Sequence, residues 1–159
     1  IAILTNITLD HKPVAELWPL FNDFLNRAQE AVVVNHDDPE ARAMATGLYG
    51  PLLVSLDADC PFSTLRARDM KLGGDGAAMT VEDKETGQSA LVRLRLPGRH
   101  NLSNALCAIG GACRAGVAFP DACAALESFG GIKRRLEVIG TAAGVTVIDD
   151  FAHNPDKIT

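Results

Sequence analysis

Three short apolar runs, separated by stretches with helical spacing, constrain the fold of this chain more than any other feature. The runs cover residues 1–4, 31–35 and 52–55, and the stretches between them cover 14–28 and 39–46. Runs of this length that are apolar throughout are typical of strands buried on both faces of a parallel sheet. The alternation therefore predicts an α/β fold, in which helices flank an open, mostly parallel sheet.

Proline and aspartate mark the starts of the predicted helices. Pro19 lies inside the first helical stretch and predicts a kink or a later start, because proline lacks a backbone N–H group. Asp38 is a suitable N-cap for the second helix, with Pro39 at its first position. Helical spacing returns at 101–115, which predicts a buried helix, and again from Phe119.

The pattern of residues 63–97 is that of a small antiparallel β insertion. Apolar and polar residues alternate between 89 and 96, as in a strand with one buried face. Turns rich in glycine and polar residues are predicted at 73–76 and 84–87. A second antiparallel hairpin is predicted near the end of the chain, between 136 and 148.

Composition and charge exclude several classes of partner. The chain is 47% hydrophobic, a value typical of globular domains, and its formal net charge is −5. No apolar run approaches the roughly 18 residues of a membrane span, and no basic stripe is present, so we expect neither a membrane nor a nucleic acid as partner. The four cysteines match no zinc spacing and are interpreted as small buried residues of a cytoplasmic protein.

Polar stretches after the first strand and at the start of the 101–115 helix hold candidate functional residues. Asp10 could orient His11 as the ligand of a divalent metal, although a capped loop explains the same residues. Asn101 and Asn104 share a face of the first helical turn. Carboxamides suit the edge of an adenine base, but ordinary helix capping explains these two residues equally well.

Two further candidate stretches lie near the end of the chain. Two glycines precede the cations at 133–135, a pattern typical either of a hinge with an anion-binding edge or of a solvated basic turn. Asp149 and Asp150 would point to opposite faces of a strand, so that one could accept hydrogen bonds from ribose hydroxyls, with His153 just beyond. A charged strand end followed by a turn is the alternative.

The order and spacing of these stretches resemble those of the Mur ligase family, ATP-dependent enzymes that join an amino acid or a peptide to a UDP-muramyl carboxylate. The branch that adds L-alanine or a murein tripeptide is the most similar. The resemblance implies an enzyme of peptidoglycan synthesis or recycling that acts through an acyl phosphate. The matching segments are TNITLDH (5–11), VVNHDDP (33–39), PGRHNLSNAL (97–106), FGGIKRRLEVIG (129–140) and VTVIDDFAHNP (145–155).

The resemblance also implies which residues bind ATP. His100, Asn101 and Asn104 would surround the adenine, and Asp150 would hold the ribose hydroxyls. Arg135 would reach the nucleotide phosphates from the following domain, where a cation offsets the charge of a transferring phosphoryl group.

Magnesium binding and catalysis are assigned in the same way. His11 would ligate a Mg²⁺ ion between ATP and the substrate carboxylate. His153 would lie near the reacting phosphate or the incoming amino acid or peptide, and it would share the catalytic role with Arg135.

The chain also departs from the family pattern. It has no Gly-Lys dipeptide, so the expected P-loop would precede residue 1, and we expect the chain alone to have no ligase activity. Residues 1–131 would be the second half of a central ATP-binding domain, and residues 132–159 the start of a C-terminal domain.

A non-catalytic nucleotide-binding module and an amide ligase of the cyanophycin or folylpolyglutamate type are alternative functions. A metal-dependent hydrolase is a third, built on Asp10, His11, His36 and His153.

Overall fold

The computed structural model describes residues 1–9, 12–135 and 137–151 of the chain. Its strands are β1 (Ala2–Leu4), β2 (Val32–Asn35), β3 (Leu52–Ser55), β4 (Leu65–Leu72), β5 (Ala77–Asp83), β6 (Ser89–Leu94), β7 (Glu137–Ala142) and β8 (Val145–Asp149). Its helices are α1 (Val14–Asn26), α2 (Pro39–Ala45), α3 (Arg99–Arg114) and α4 (Phe119–Ala125), and a 3-10 turn at Leu126–Ser128 follows α4.

Strands β1 to β6 form one sheet in chain order, parallel from β1 to β4 and antiparallel from β4 to β6. The prediction of a mostly parallel sheet with flanking helices and an antiparallel insertion is confirmed. The insertion, which we call the antiparallel wing (β4–β6), is continuous with the parallel strands. Leu65 pairs with Val54 near the carboxyl end of β3, so the rest of β4 projects beyond that end.

Helices cover both faces of the sheet. Val33 and Val34 are adjacent in β2 and therefore point to opposite faces, and each is completely buried in a different apolar cluster. Val34 lies with residues of α1 and α2, whereas Val33 lies with residues of α3 and α4. Helix α3 packs against β1 to β5, so burial of its apolar face fixes where its first turn lies relative to the sheet.

Two predictions about helix starts have different outcomes. Helix α2 is capped as predicted, since the Asp38 carboxylate accepts a hydrogen bond from Ala41 N at 2.8 Å. Helix α1 begins at Val14 and includes Pro19, so the prediction of a later helix start was wrong. Ala15 and Pro19 both lie on the exposed side of α1. Water can therefore bond to the carbonyl group that loses its partner at the proline.

Strands β7 and β8 form the predicted second hairpin, a separate antiparallel sheet. Ala143 and Gly144 both have positive φ at its turn, which is the geometry of a tight two-residue hairpin connection. Within the described residues, no helix combines the length and apolar character that a membrane crossing requires.

Candidate functional site

The carboxyl ends of β1 and β2 are joined by hydrogen bonds. Asn35, the last residue of β2, donates from Nδ2 to Thr5 O at 2.9 Å. Asp38 accepts from Ile7 N at 3.3 Å while its carboxylate also caps α2. These bonds fix the polar loop that follows β1 against the next strand. Asp10 and His11, which follow in the sequence, lie outside the described residues.

Asp37 extends this network to the end of β3. Its carboxylate accepts hydrogen bonds from the hydroxyl of Ser55 and, at 2.7 Å, from Leu56 N. The backbone N–H of Asp37 in turn donates to Asn35 Oδ1 at 3.1 Å. These bonds hold the carboxyl ends of β1, β2 and β3 together as one polar unit.

His36 lies at this edge between a thiol and an aromatic ring. Its Nδ1 is 3.5 Å from Cys60 Sγ, and its ring centroid is 5.8 Å from that of Phe62. Partial burial lowers the pKa of His36, nearby Arg42 lowers it further, and Asp37 opposes the shift. The neutral imidazole is thus favoured, a form that can accept a hydrogen bond from the thiol.

The lowered pKa of His36 predicts that acid weakens the fold. The imidazole binds its proton more readily in the unfolded chain than in the folded one. The contribution of neutral His36 to the free energy of unfolding is therefore fully present above pH 6.5, the ordinary pKa of His. It is lost as the pH falls through the lower pKa of the folded state. Urea denaturation between pH 7 and pH 5 should show a steeper loss of stability for the wild type than for His36→Gln. Arg42→Gln should give an intermediate slope, and equal slopes for all three proteins would contradict this assignment.

Helix α3 begins two residues earlier than predicted, at Arg99, with Gly98 as its N-cap. Asn101 is therefore not the N-cap, although its side chain does stabilise the start of the helix by donating from Nδ2 to Pro97 O at 2.7 Å. Gly98 has a φ of +98°, and a Cβ there would lie 2.7 Å from the His100 ring. Only glycine fits this turn without moving His100.

The first turn of α3 lies beyond the carboxyl edge of the parallel strands. Arg99 Nη1 is 4.0 Å from the sulfur of Met70, which belongs to the part of β4 that projects past β3. Over the first two turns, His100 and Asn104 are exposed and Asn101 is half-buried. Open α/β sheets bind ligands outside this edge, so α3 presents its imidazole and carboxamides where a ligand is expected.

The hinge segment (130–135) passes beside the start of α3. A Cβ on Gly131 would lie 2.8 Å from Leu96 Cδ2, and Leu96 directly precedes the Pro97–Gly98 turn. Gly131 also has a φ of +92°, which residues other than glycine rarely adopt. The glycine end of the hinge segment thus packs against Leu96, two residues before the Gly98 N-cap of α3.

Arg135 and Asp150 lie in one compact unit after the hinge glycines. Phe151 N donates to Arg134 O at 2.8 Å, which joins the end of β8 to the basic segment. Arg135 and Asp150 are exposed. A guanidinium and a carboxylate are therefore presented at the same end of the β7–β8 hairpin.

Comparison with known proteins identifies the family. The model of the Mur ligase middle domain matches residues 1–112. The chain belongs to the Mur ligase family. It is 36% identical to the UDP-N-acetylmuramate–L-alanine ligase of Thermobifida fusca, covering 99% of this chain and 34% of that protein. The chain thus spans about a third of the length of the curated relatives that it matches.

Solved structures of Mur ligases share this fold. A murein peptide ligase from Psychrobacter arcticus superposes with a TM-score of 0.72 at 30% identity, over 98% of this chain and 32% of that one. MurF from Acinetobacter baumannii superposes with a TM-score of 0.83 at 22% identity, over 98% of this chain and 35% of that one. The second likeness extends the agreement in fold to a more distant ligase.

Within this Mur ligase chain, the structure brings together only some of the predicted site residues. His100, Asn101 and Asn104 lie in the first two turns of α3, while Arg135 and Asp150 share the end of the hairpin. His153 and His11 lie outside the described residues, so their roles stay predictions. In the described part of the chain, no group of three His, Cys, Asp or Glu side chains is arranged to hold a metal ion.

Sequence reasoning on the Mur ligase chain missed Phe151, Ser55 and the bridging role of Asp37. Asp37 was visible only as a residue of the matched VVNHDDP segment, and its partners Ser55 and Leu56 come from another strand. Phe151 lies in the matched VTVIDDFAHNP segment, but its contacts with Arg134 and Arg135 depend on how the chain folds back.

Proposed function

We propose that the protein containing this chain is an ATP-dependent amide ligase of peptidoglycan precursor synthesis or recycling. It would phosphorylate the carboxylate of a UDP-muramyl substrate, and the amine of an amino acid or a peptide would then attack the acyl phosphate. One observation supports this most strongly. Gly131, which precedes the basic residues 133–135, packs against Leu96, which precedes the start of the helix that bears Asn101 and Asn104.

The residues present fit an adenine nucleotide at this place. We assign the adenine to Asn104, to the ring of His100 and to the carboxamide of Asn101, whose Nδ2 already bonds Pro97 O and whose Oδ1 can accept. The exposed carboxamide of Asn104 can both donate and accept, as the edge of adenine requires. Asp150 would accept hydrogen bonds from the ribose hydroxyls.

Charge neutralisation is the chemical task of Arg135. Phosphoryl transfer spreads negative charge over the oxygens of the transferred group, and enzymes stabilise that charge with cations placed in advance. Arg135 would supply a guanidinium for this purpose, in a planar geometry that suits phosphate oxygens. Mg²⁺, held through His11, would neutralise further charge, and His153 would face the reacting group. These two assignments rest on the family resemblance alone.

The division of the chain follows from this proposal. Residues 1–131 would complete the central ATP-binding domain, and residues 132–159 would begin the domain that closes over the nucleotide. Closure would bring Arg135 and Asp150 from the second domain to the adenine site of the first. Water would be excluded from the acyl phosphate when the two domains meet.

An amine-dependent assay tests the proposed function. The full-length protein is incubated with ATP, Mg²⁺, UDP-N-acetylmuramate and either L-alanine or a murein tripeptide, and phosphate release and the amide product are measured. We expect phosphate and amide in equal amounts, both dependent on the amine. Nucleotide binding without amide formation from any amino acid or peptide would contradict the ligase and favour a non-catalytic nucleotide-binding module.

A further inference from the structure

Arg134 contacts both strands of the β7–β8 hairpin. Its carbonyl oxygen accepts the bond from Phe151 N at 2.8 Å, and its guanidinium carbon lies 4.8 Å from the centroid of the Phe151 ring. Its Nε is 3.6 Å from Asp149 Oδ2 in β8. Its backbone N–H donates to Glu137 Oε2 in β7 at 2.8 Å. Arg134 is therefore joined to the hairpin through its backbone and its side chain.

The backbone of Arg134 also requires these contacts. Its φ is +61°, a value that costs free energy for any residue with a side chain. Such a conformation persists where surrounding contacts hold it. The hydrogen bonds from Phe151 and to Glu137 act on both sides of the residue and supply that support.

Phe151 also lies close to Arg135. The guanidinium carbon of Arg135 is 5.9 Å from the same ring centroid, and Arg135 N donates to Ile132 O at 3.1 Å. The electron-rich face of one aromatic ring thus attracts two neighbouring cations, which offsets part of their mutual repulsion. The position of Arg135 depends on this ring and on the turn that Arg134 forms.

The other end of the hinge segment has a different kind of contact. Gly131 packs on the apolar side chain of Leu96, and it has the conformational freedom of a glycine beside a second one, Gly130. Rotation about Gly130 and Gly131 changes an apolar contact, whereas rotation after Arg134 would break hydrogen bonds and ring contacts.

We infer that Arg134 and Phe151 form a clasp that fixes Arg135 to the β7–β8 hairpin, so that Arg135 and Asp150 are held as one unit. Arg134 and Phe151 are positioning residues that act through Arg135. This inference rests on the proposed function, because the task of Arg135 at the nucleotide phosphates belongs to that proposal.

The test compares variants of the full-length ligase. Phe151→Leu removes the aromatic face, Phe151→Tyr keeps it, and Lys133→Gln is the matched control for a lost cation in the same turn. We expect Phe151→Leu and Arg134→Gln to lower kcat about fivefold, with the Kd for ATP changed less than twofold. Phe151→Tyr and Lys133→Gln should keep the wild-type kcat. Amide hydrogen exchange at residue 151 should accelerate in Phe151→Leu but not in Phe151→Tyr.

A double variant separates the clasp from a direct role of the ring. If Phe151 acts through Arg135, adding Phe151→Leu to Arg135→Gln should lower kcat no further. A further fivefold loss in the double variant would overturn the inference, as would an unchanged kcat for Phe151→Leu when Arg135→Gln is impaired. An active ligase in which Arg135→Gln has no effect would overturn the role of Arg135 and the inference with it. No ligation by the wild type would contradict the proposed function itself, and exchange at residue 151 would still report the clasp.

Discussion

Replacing Gly76 with alanine should lower the free energy of unfolding by about 2–3 kcal/mol, the upper part of the range for overpacked sites. Gly76 directly precedes β5, and a Cβ there would overlap the backbone carbonyl oxygen of Leu94 in β6. The pairing of Ala77 with Leu94 fixes the two strands at this point. A backbone atom cannot rotate away from the new methyl group, so the wing itself would have to shift.

Gly74→Ala is the matched control, because a Cβ at Gly74 would meet no atom within 4 Å. Urea denaturation should show a clear loss of stability for Gly76→Ala and a change below about 0.5 kcal/mol for Gly74→Ala, as at ordinary surface positions. Equal stabilities of the two variants would contradict the close packing of the wing. The result bears on function, since α3 packs against β4 and β5 and its first turn lies beside the wing.

The second large effect concerns catalysis. Under the proposed function, Arg135→Gln in the full-length protein should lower kcat by about 100-fold, the loss found when one preorganised group that stabilises transition-state charge is removed. Glutamine keeps much of the side-chain length and hydrogen-bonding capacity but removes the charge. Single-turnover measurements with saturating ATP and substrates would separate the chemical step from product release.

Lys133→Gln again serves as control, because it removes a cation from the same turn without touching the proposed phosphate contact. It should retain kcat within about twofold. Equal losses of kcat in Arg135→Gln and Lys133→Gln would mean that the rate depends only on the total positive charge of the hinge segment. A kcat of Arg135→Gln equal to that of the wild type would show that Arg135 does not belong to the proposed site.

Much of the fold follows from periodicity. The buried strands β1 to β3, α2 with its Asp38 cap, and both antiparallel hairpins were predicted because their signals are local. The parallel pairing of β4 with β3 was not predicted. It depends on a contact between strands that a loop separates, and neither strand's own pattern reveals it. The start of α3 was placed two residues late because Gly98, rather than Asn101, ends the preceding turn.

The candidate site was only partly predictable for a related reason. Residue types and the family resemblance pointed to Asn101, Asn104 and Arg135, but not to the way in which they are held. The bridge from Asp37 to Ser55 and the stacking of Arg134 on Phe151 each join segments that are distant along the chain. Such contacts arise only when tertiary packing brings loops and strand ends together.

The central claim is that the first turn of α3 and the end of the β7–β8 hairpin surround one nucleotide. A crystal structure of the full-length protein with Mg²⁺ and a nonhydrolysable ATP analogue tests it most directly. We predict that the adenine lies within hydrogen-bonding distance, about 3.2 Å or less, of Asn101 or Asn104. Arg135 should contact a phosphate oxygen and Asp150 a ribose hydroxyl. An analogue bound with its adenine away from α3, or with Arg135 and Asp150 on an unrelated surface, would contradict the account.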